Sequence, residues 1–322
     1  MPDYITAVNQ LIVDHASRMA GAVLYGENIK SGSRISGLTK NLRAPQAGRI
    51  LNVGNCESTH CGVGFGLMMA GVPAILFVKQ LDFMLLGIDH FVSTYNVVRS
   101  HPHRDNLGSF TIITIVCDQG WQGPQSSFNA LGDLCSLARV PGYSITNAQD
   151  TRHVLERQLP SPGFRIIALS QRLFSTEFLE PPLVYAAHDS SVFQYTAGDD
   201  VTIACFNFAF PQGQILSDKL AACGITADLF SINAVVNPDW TRIVESVART
   251  KRIVLIDDTK GARTGCDELL RSLALPVCGH DAIVVTRPAD IPLGVCPDSL
   301  DIDYERLIAQ LGRPNIRGRV TT

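Results

Sequence analysis

The sequence predicts an α/β protein of two domains, each a mostly parallel sheet flanked by helices. Short β-branched runs alternate with helix-length segments along most of the 322 residues, the rhythm of a parallel sheet covered on both faces. At about 150 residues per domain, the length suits two such units. The rhythm breaks once, between Glu180-Pro181-Pro182 and Gly198-Asp199-Asp200, and then restarts. The domains are therefore expected at 1–190 and 191–322.

Each element follows from local pattern. Ala7 to Met19 carries Val8, Leu11, Ile12, Ala16 and Met19 at helical spacing, which predicts an amphipathic helix. Ala22 to Asn28 reads as a strand ending in a polar loop, and Ser31 to Gly48 as a long surface loop. Arg49–Val53 and Val72–Val78 read as strands on either side of a helix that starts near Glu57. This βαβ unit puts an acid at the carboxyl edge of its first strand, where open α/β sheets bind ligands. Asp82 to Val98 reads as a second apolar helix. Phe110–Cys117 is unbroken and β-branched, as a buried parallel strand is. Phe164–Leu169 is one more strand. In the second half, strands are expected at Val201–Phe206, Ala227–Ile232 and Arg252–Asp257, and helices at Gln214–Cys223, Trp240–Ala248 and Cys266–Leu275.

Composition narrows the function. Hydrophobic residues make up 46% and the net charge is -3, so nothing favours nucleic acid or an anionic membrane. No apolar run reaches the roughly 18 residues needed to span a bilayer. No secretory signal follows Met1, and nine cysteines in apolar contexts fit reduced thiols in a cytoplasmic protein.

The stretch Asn55-Cys56-Glu57 to Gly71 holds the most telling residue. Glu57 opens a helix too apolar and small-sided to face water. Gly62, Gly64 and Gly66 miss the dinucleotide fingerprint and are read as letting the helix pack closely. Cys56, His60 and Cys61 lack the second ligand pair of a zinc site, so no metal is assigned to this chain. His101, His103 and Arg104 form a basic loop that could clamp a carboxylate or phosphate. Asp118 to Ser127 lies at a strand end, where Gln122, Gln125 and Ser127 offer hydrogen bonds to a polar substrate. No Gly-x-Ser-x-Gly elbow is present for a Ser-His-Asp triad.

Taken in order, several segments resemble a known family. They are Gly26-Glu27-Asn28, Asn55-Cys56-Glu57-Ser58, Gln80-Leu81-Asp82-Phe83, Gly87-Ile88-Asp89-His90 and Pro141-Gly142. They are similar to the β subunit of thiamine-diphosphate-dependent 2-oxo-acid dehydrogenases and to the pyrimidine-binding domain of transketolase. Asp200–Ala204, Gly224–Leu229 and Arg252–Asp258 resemble that family's C-terminal domain. The resemblance implies thiamine diphosphate as cofactor. In the family, a glutamate at the Glu57 position hydrogen-bonds N1′ of the aminopyrimidine and favours the imino tautomer that leads to the ylide. Gln80, Leu81 and Phe83 match the segment that packs against the pyrimidine ring. Carboxyl groups in apolar sites hold protons tightly and can share one with a heterocyclic nitrogen.

Two departures from the family shape the expectation. The Gly-Asp-Gly…Asn motif for magnesium and diphosphate is missing, since Gly198-Asp199-Asp200 and Asp118-Gln119-Gly120 both fail it. An α-type partner is therefore expected to hold the diphosphate and Mg2+, in an α2β2 assembly with the cofactor at the interface. Ser126 stands where the family places a loop histidine, which leaves His101 or His103 to move the proton. This argues against routine acyl transfer to a lipoyl arm and for a carboligase or ketol transferase. The alternatives are the β subunit of an ordinary 2-oxo-acid dehydrogenase, a non-catalytic scaffold for an α-type partner, and a nucleotide-binding module.

Overall fold

In the computed structural model, residues 2–100, 106–118, 129–260, 264–274, 281–287 and 300–312 are described. The first sheet is built from β1 (Val23–Gly26), β2 (Arg49–Asn52), β3 (Ala74–Val78), β4 (Ser109–Val116), β5 (Gly142–Ser144) and β6 (Gly163–Ser170). Its order is β2-β1-β3-β4-β6-β5 and every pairing is parallel. The β-branched run that predicted a central strand becomes β4, buried along its whole length beside the equally buried β6.

The second sheet holds β7 (Tyr185–Ala186), β8 (Val192–Thr196), β9 (Val201–Phe206), β10 (Ala227–Ile232), β11 (Arg252–Asp257) and β12 (Asp281–Thr286), in the order β12-β11-β9-β10-β8-β7. Four of these strands are parallel, but β8 runs antiparallel to β10 and β7 antiparallel to β8. The chain link 187–191 explains the hairpin: a parallel crossover needs about a dozen residues. The strands and helices that the sequence indicated after residue 200 all form, within a few residues of the expected bounds.

Helix α1 (Tyr4–Ser17) starts at Asp3, whose side chain accepts a hydrogen bond from the Thr6 N–H. Helix α2 (Glu57–Met69) crosses the first sheet closely, because Gly64 lies over Phe110. A Cβ at Gly64 would sit 2.2 Å from that ring. Phe65 then enters an aromatic cluster with Phe91, Tyr95, Phe110 and Phe164, with ring centroids 4.9–6.3 Å away.

The single helix expected over Asp82–Val98 is instead three pieces. A 3-10 turn covers Leu81–Gly87, a π-type turn His90–Thr94, and α3 only Tyr95–Ser100. The buried positions explain the break. Leu81, Met84 and Gly87 recur every third residue, the period of a 3-10 helix. Phe91 is the next buried residue, one step out of that register, and the wider π turn absorbs the difference. Gly87 is also pressed against α2, where a Cβ would lie 2.5 Å from Cys61 Sγ.

The loop expected at 31–48 is not all surface. Ile35, Leu38 and Thr39 are buried, and Arg34, Ile35 and Ser36 take left-handed φ values of 48°, 52° and 54°. A β-branched residue there is an outlier, held because it drives the Ile35 side chain inward.

Helices α4 (Leu131–Ala138), α5 (Ala148–Gln158), α6 (Phe210–Ala222), α7 (Thr241–Thr250), α8 (Asp267–Ala274) and α9 (Tyr304–Leu311) complete the described layers. The two sheets are joined by buried polar contacts. Asn233 donates to the Ser144 carbonyl at 2.6 Å and to Asp150 at 2.9 Å. Truncating Phe65 to Ala should cost about 3–5 kcal/mol of stability, read by urea denaturation. A loss below about 1 kcal/mol would show that the cluster does not hold α2 in place.

Candidate functional site

The carboxyl ends of β1 and β3 and the start of α2 meet in one cleft of about 490 Å³, counted with its open mouth. β1 delivers Glu27, α2 delivers Glu57 and His60, and β3 runs into Lys79. Phe83 and Met84 of the 3-10 turn form one wall, and Ile35 of the left-handed turn lines it as well. The position of Glu57 is fixed locally. The Tyr25 hydroxyl donates to the His60 carbonyl at 2.7 Å and ties the first turn of α2 to β1. Gly26 lets the edge close, since a Cβ there would meet the Phe77 carbonyl oxygen at 2.3 Å. A carboxylate in the first turn of a helix also gains about 0.3–1 kcal/mol from the helix dipole.

The charge of Glu57 reaches its neighbours. Burial and then that charge raise the proton affinity of Glu27, which faces the same cleft. Burial holds His60 below the usual imidazole range, with Glu57 pulling the other way. Burial, with Glu57 behind it, pushes the Cys61 thiol up to about 12. The arrangement therefore offers a neutral imidazole and two carboxylates in mutual opposition. Two such carboxylates favour a proton, or a ligand atom that carries one, between them and the ligand.

Of the residues singled out in the sequence, Glu57 and Phe83 line this cleft. Gln80 and Leu81 adjoin it. Both are buried, and the Gln80 side chain hydrogen-bonds Cys117 at the end of β4. His101, His103, Arg104, Gln122, Gln125, Ser126 and Ser127 lie outside the described residues. The residues just before and after the 119–128 stretch are described. Asp118 is buried and accepts from Ser170 Oγ at 2.5 Å and from the Arg172 N–H at 2.9 Å. Arg172 pairs with Asp258 at 2.8 Å across the two sheets, and Arg287 reaches the same carboxylate. Burial pushes Asp258 up to about 7 against the pull of Arg172.

Sequence reasoning passed over Glu27, His60 and Lys79 as site residues. The signal was present for Glu27 and Lys79: Glu27 lies at the polar end of the strand expected over Ala22–Asn28, and Lys79 directly follows the one expected over Val72–Val78.

The residues present fit an aminopyrimidine. A carboxylate stands ready for a ring nitrogen, Phe83 supplies an aromatic wall, and Leu76 and Met84 add apolar surface. Among the described residues, no group of three or more His, Cys, Asp or Glu could hold a metal ion. The outer face of α2 is also unlike a solvated helix. Val63 and Met69 are 47% and 51% exposed, and Leu85 and Leu86 of the adjoining turn 57% and 62%. Gly66 opens onto free space. Large exposed apolar patches are a common mark of protein–protein contact sites.

Two α/β units with these sheet orders make a transketolase-like fold. A solved "Split gene transketolase, inactive beta4 tetramer" superposes with a TM-score of 0.64 at 15% identity, covering 96% of this chain and 95% of that one. In sequence the chain is similar, over most of its length, to β subunits of 2-oxo-acid and acetoin enzymes. The acetoin:2,6-dichlorophenolindophenol oxidoreductase subunit beta of Cupriavidus necator is 21% identical, covering 97% of this chain and 96% of the relative. The pyruvate dehydrogenase E1 component subunit beta of Dictyostelium discoideum is 22% identical, covering 78% and 72%. No family model matches.

The Glu27 shift has a pH signature. Its folded proton affinity exceeds the unfolded value near 4.5, so its charge works against folding once pH rises above that value. Glu27→Gln should raise the melting temperature at pH 7.5 and lose that advantage as pH falls through 4.5. An equal shift at both pH values would show that Glu27 and Glu57 do not oppose each other.

Proposed function

We propose that this chain is the β-type subunit of a two-subunit thiamine-diphosphate enzyme that makes or breaks a carbon–carbon bond next to a carbonyl. The observation that carries the reading is the pairing of Glu57 and Phe83 in one cleft at the start of α2. When bound, the cofactor supplies the carbanion chemistry. The chain's own residues do the rest. Glu57 holds a proton at the pyrimidine nitrogen. Phe83 and Met84 orient the ring. Ile35 and Leu76 exclude water, and the charge of Glu27 keeps a proton close at hand.

An α-type partner, in an α2β2 assembly, would hold the diphosphate and Mg2+. The exposed apolar residues of α2 and its neighbouring turn, close to the cleft of Glu57 and Phe83, support that partner. The product class favoured is a carboligation or ketol transfer from a 2-oxo acid or ketose-like donor, because Ser126 stands at the family's histidine position. All seven cysteines among the described residues are unpaired, which supports a reducing compartment such as the cytoplasm. No helix among the described residues is long and apolar enough to cross a membrane.

Calorimetric titration of thiamine diphosphate and Mg2+ tests the reading. The chain together with its α-type partner should bind tightly and the chain alone weakly. Glu57→Gln should leave assembly intact and lower turnover by about 10²–10⁴-fold, the usual contribution of a positioned acid or base. Tight binding by the lone chain would refute the half-site, and full activity in Glu57→Gln would remove the role given to that carboxylate.

A further inference from the structure

We propose that the crevice at the carboxyl edge of the second sheet binds a small aliphatic amine. The site is separate from the cleft of Glu57 and needs no thiamine diphosphate.

The strand order places this crevice. β9 leads through α6 to β10 on one side of it, while β11, on the other side, leads through α8 to β12. The loops leaving β9 and β11 therefore part in opposite directions, and open parallel sheets bind ligands where that happens. A cavity of about 740 Å³, counted with its open mouth, lies there. Phe206 and Asn207 enter it from the end of β9, Thr259 and Gly265 from the loop after β11, and Asp133 from α4.

One buried group in this cavity lacks a partner. Asp257 accepts hydrogen bonds from the Thr259 N–H at 2.9 Å, the Thr259 hydroxyl at 2.6 Å and the Cys266 N–H at 2.7 Å. With its proton committed to Asp257, the Thr259 oxygen accepts from the Gly265 N–H at 3.2 Å and from Asn207 Nδ2 at 2.5 Å. That chain of donors fixes the Asn207 amide and leaves its Oδ1 over. Asn207 is only 6% exposed, and among the described residues no group donates to its Oδ1. Buried acceptors are nearly always met by a donor, so the ligand is one that donates.

The charges narrow the donor. Asp133, Asp267 and Glu268 line the cavity against Arg271. Asp133 has no hydrogen bond or ion pair among the described residues. The Arg271 Nε–H is turned back onto the Asp267 carbonyl of its own helix at 3.2 Å. This lining repels an anion and attracts a cation. The acids are not grouped for a metal ion among the described residues, which leaves an organic cation. Trp240, packed beside Phe206 with ring centroids 6.1 Å apart, lines the cavity with Ile232 and Val235. An ammonium is attracted to an aromatic face, and apolar walls take up methylene groups. An ammonium on a short hydrocarbon stem meets each demand: an N–H for Asn207, a charge for Asp133 and Glu268, and a stem for the apolar wall.

The test titrates the purified full chain, without cofactor, with 1,5-diaminopentane. The comparison is 1,5-pentanediol, which has the same length and no charge, at constant ionic strength. By calorimetry the diamine should bind and the diol should not, and only the diamine should raise the melting temperature. Asp133→Asn and Asn207→Ala should each weaken the diamine about 10-fold, the loss of one hydrogen bond to a charged group. Asn207→Ala also removes the Thr259 contact. Asp133→Asn breaks no bond within the protein and decides the matter if the other variant unfolds. No binding of the diamine overturns the proposal. So does equal binding of the diol, or unchanged diamine affinity in Asp133→Asn.

Discussion

The close contact between Gly64 and the Phe110 ring sets the geometry on which the rest depends. With no side chain at that point, α2 rests directly on the first sheet, and Phe65 beside it locks into four aromatic rings. The first turn of α2 is then held by Tyr25, and Glu57 comes to rest at the carboxyl edge in one cleft with Glu27 and Phe83. A bulkier residue at 64 would lift the helix by the width of a methyl group, and the carboxylate would leave the cleft with it.

Strain and repulsion gather at the same place. Ile35 takes a left-handed backbone to turn its side chain inward, and two acids oppose each other across the cleft. Such features cost stability and persist where the surrounding structure holds them. A ligand that brings a proton to Glu57 and an aromatic face to Phe83 relieves part of that cost. The apolar outer face of α2 is a second unmet demand, one that the proposed partner would meet. The cleft and the bare face adjoin, so one partner could answer both.

Much of this was legible in the sequence, for identifiable reasons. Strands such as β4 and β9 stood out because fully buried parallel strands are continuous β-branched runs. Glu57 stood out because a charge was out of place in an apolar helix. The segment after β3 misled, because its apolar residues follow a three-residue period before shifting register, and composition alone reads that as one helix. The short strands β7 and β8 were hidden because hairpin strands of two and five residues carry little pattern. Helix α5 is not among the elements the sequence indicated, although its capping box, Asn147 with Asp150, and the buried Ala148, Thr151, Val154 and Leu155 mark it in the structure. Lys79 carried one sequence signal, its place directly after the β3 run, and the fold adds that this step opens into the cleft of Glu57.

Under the proposed function, Glu57 shares a proton with the pyrimidine of bound thiamine diphosphate. Nitrogen NMR of the assembled enzyme, loaded with cofactor labelled with 15N at N1′, measures that proton directly. A protonated N1′ in the wild type that reverts to the free-cofactor shift in Glu57→Gln is the result predicted. The same N1′ shift in both proteins, with the cofactor bound in each, would contradict the account.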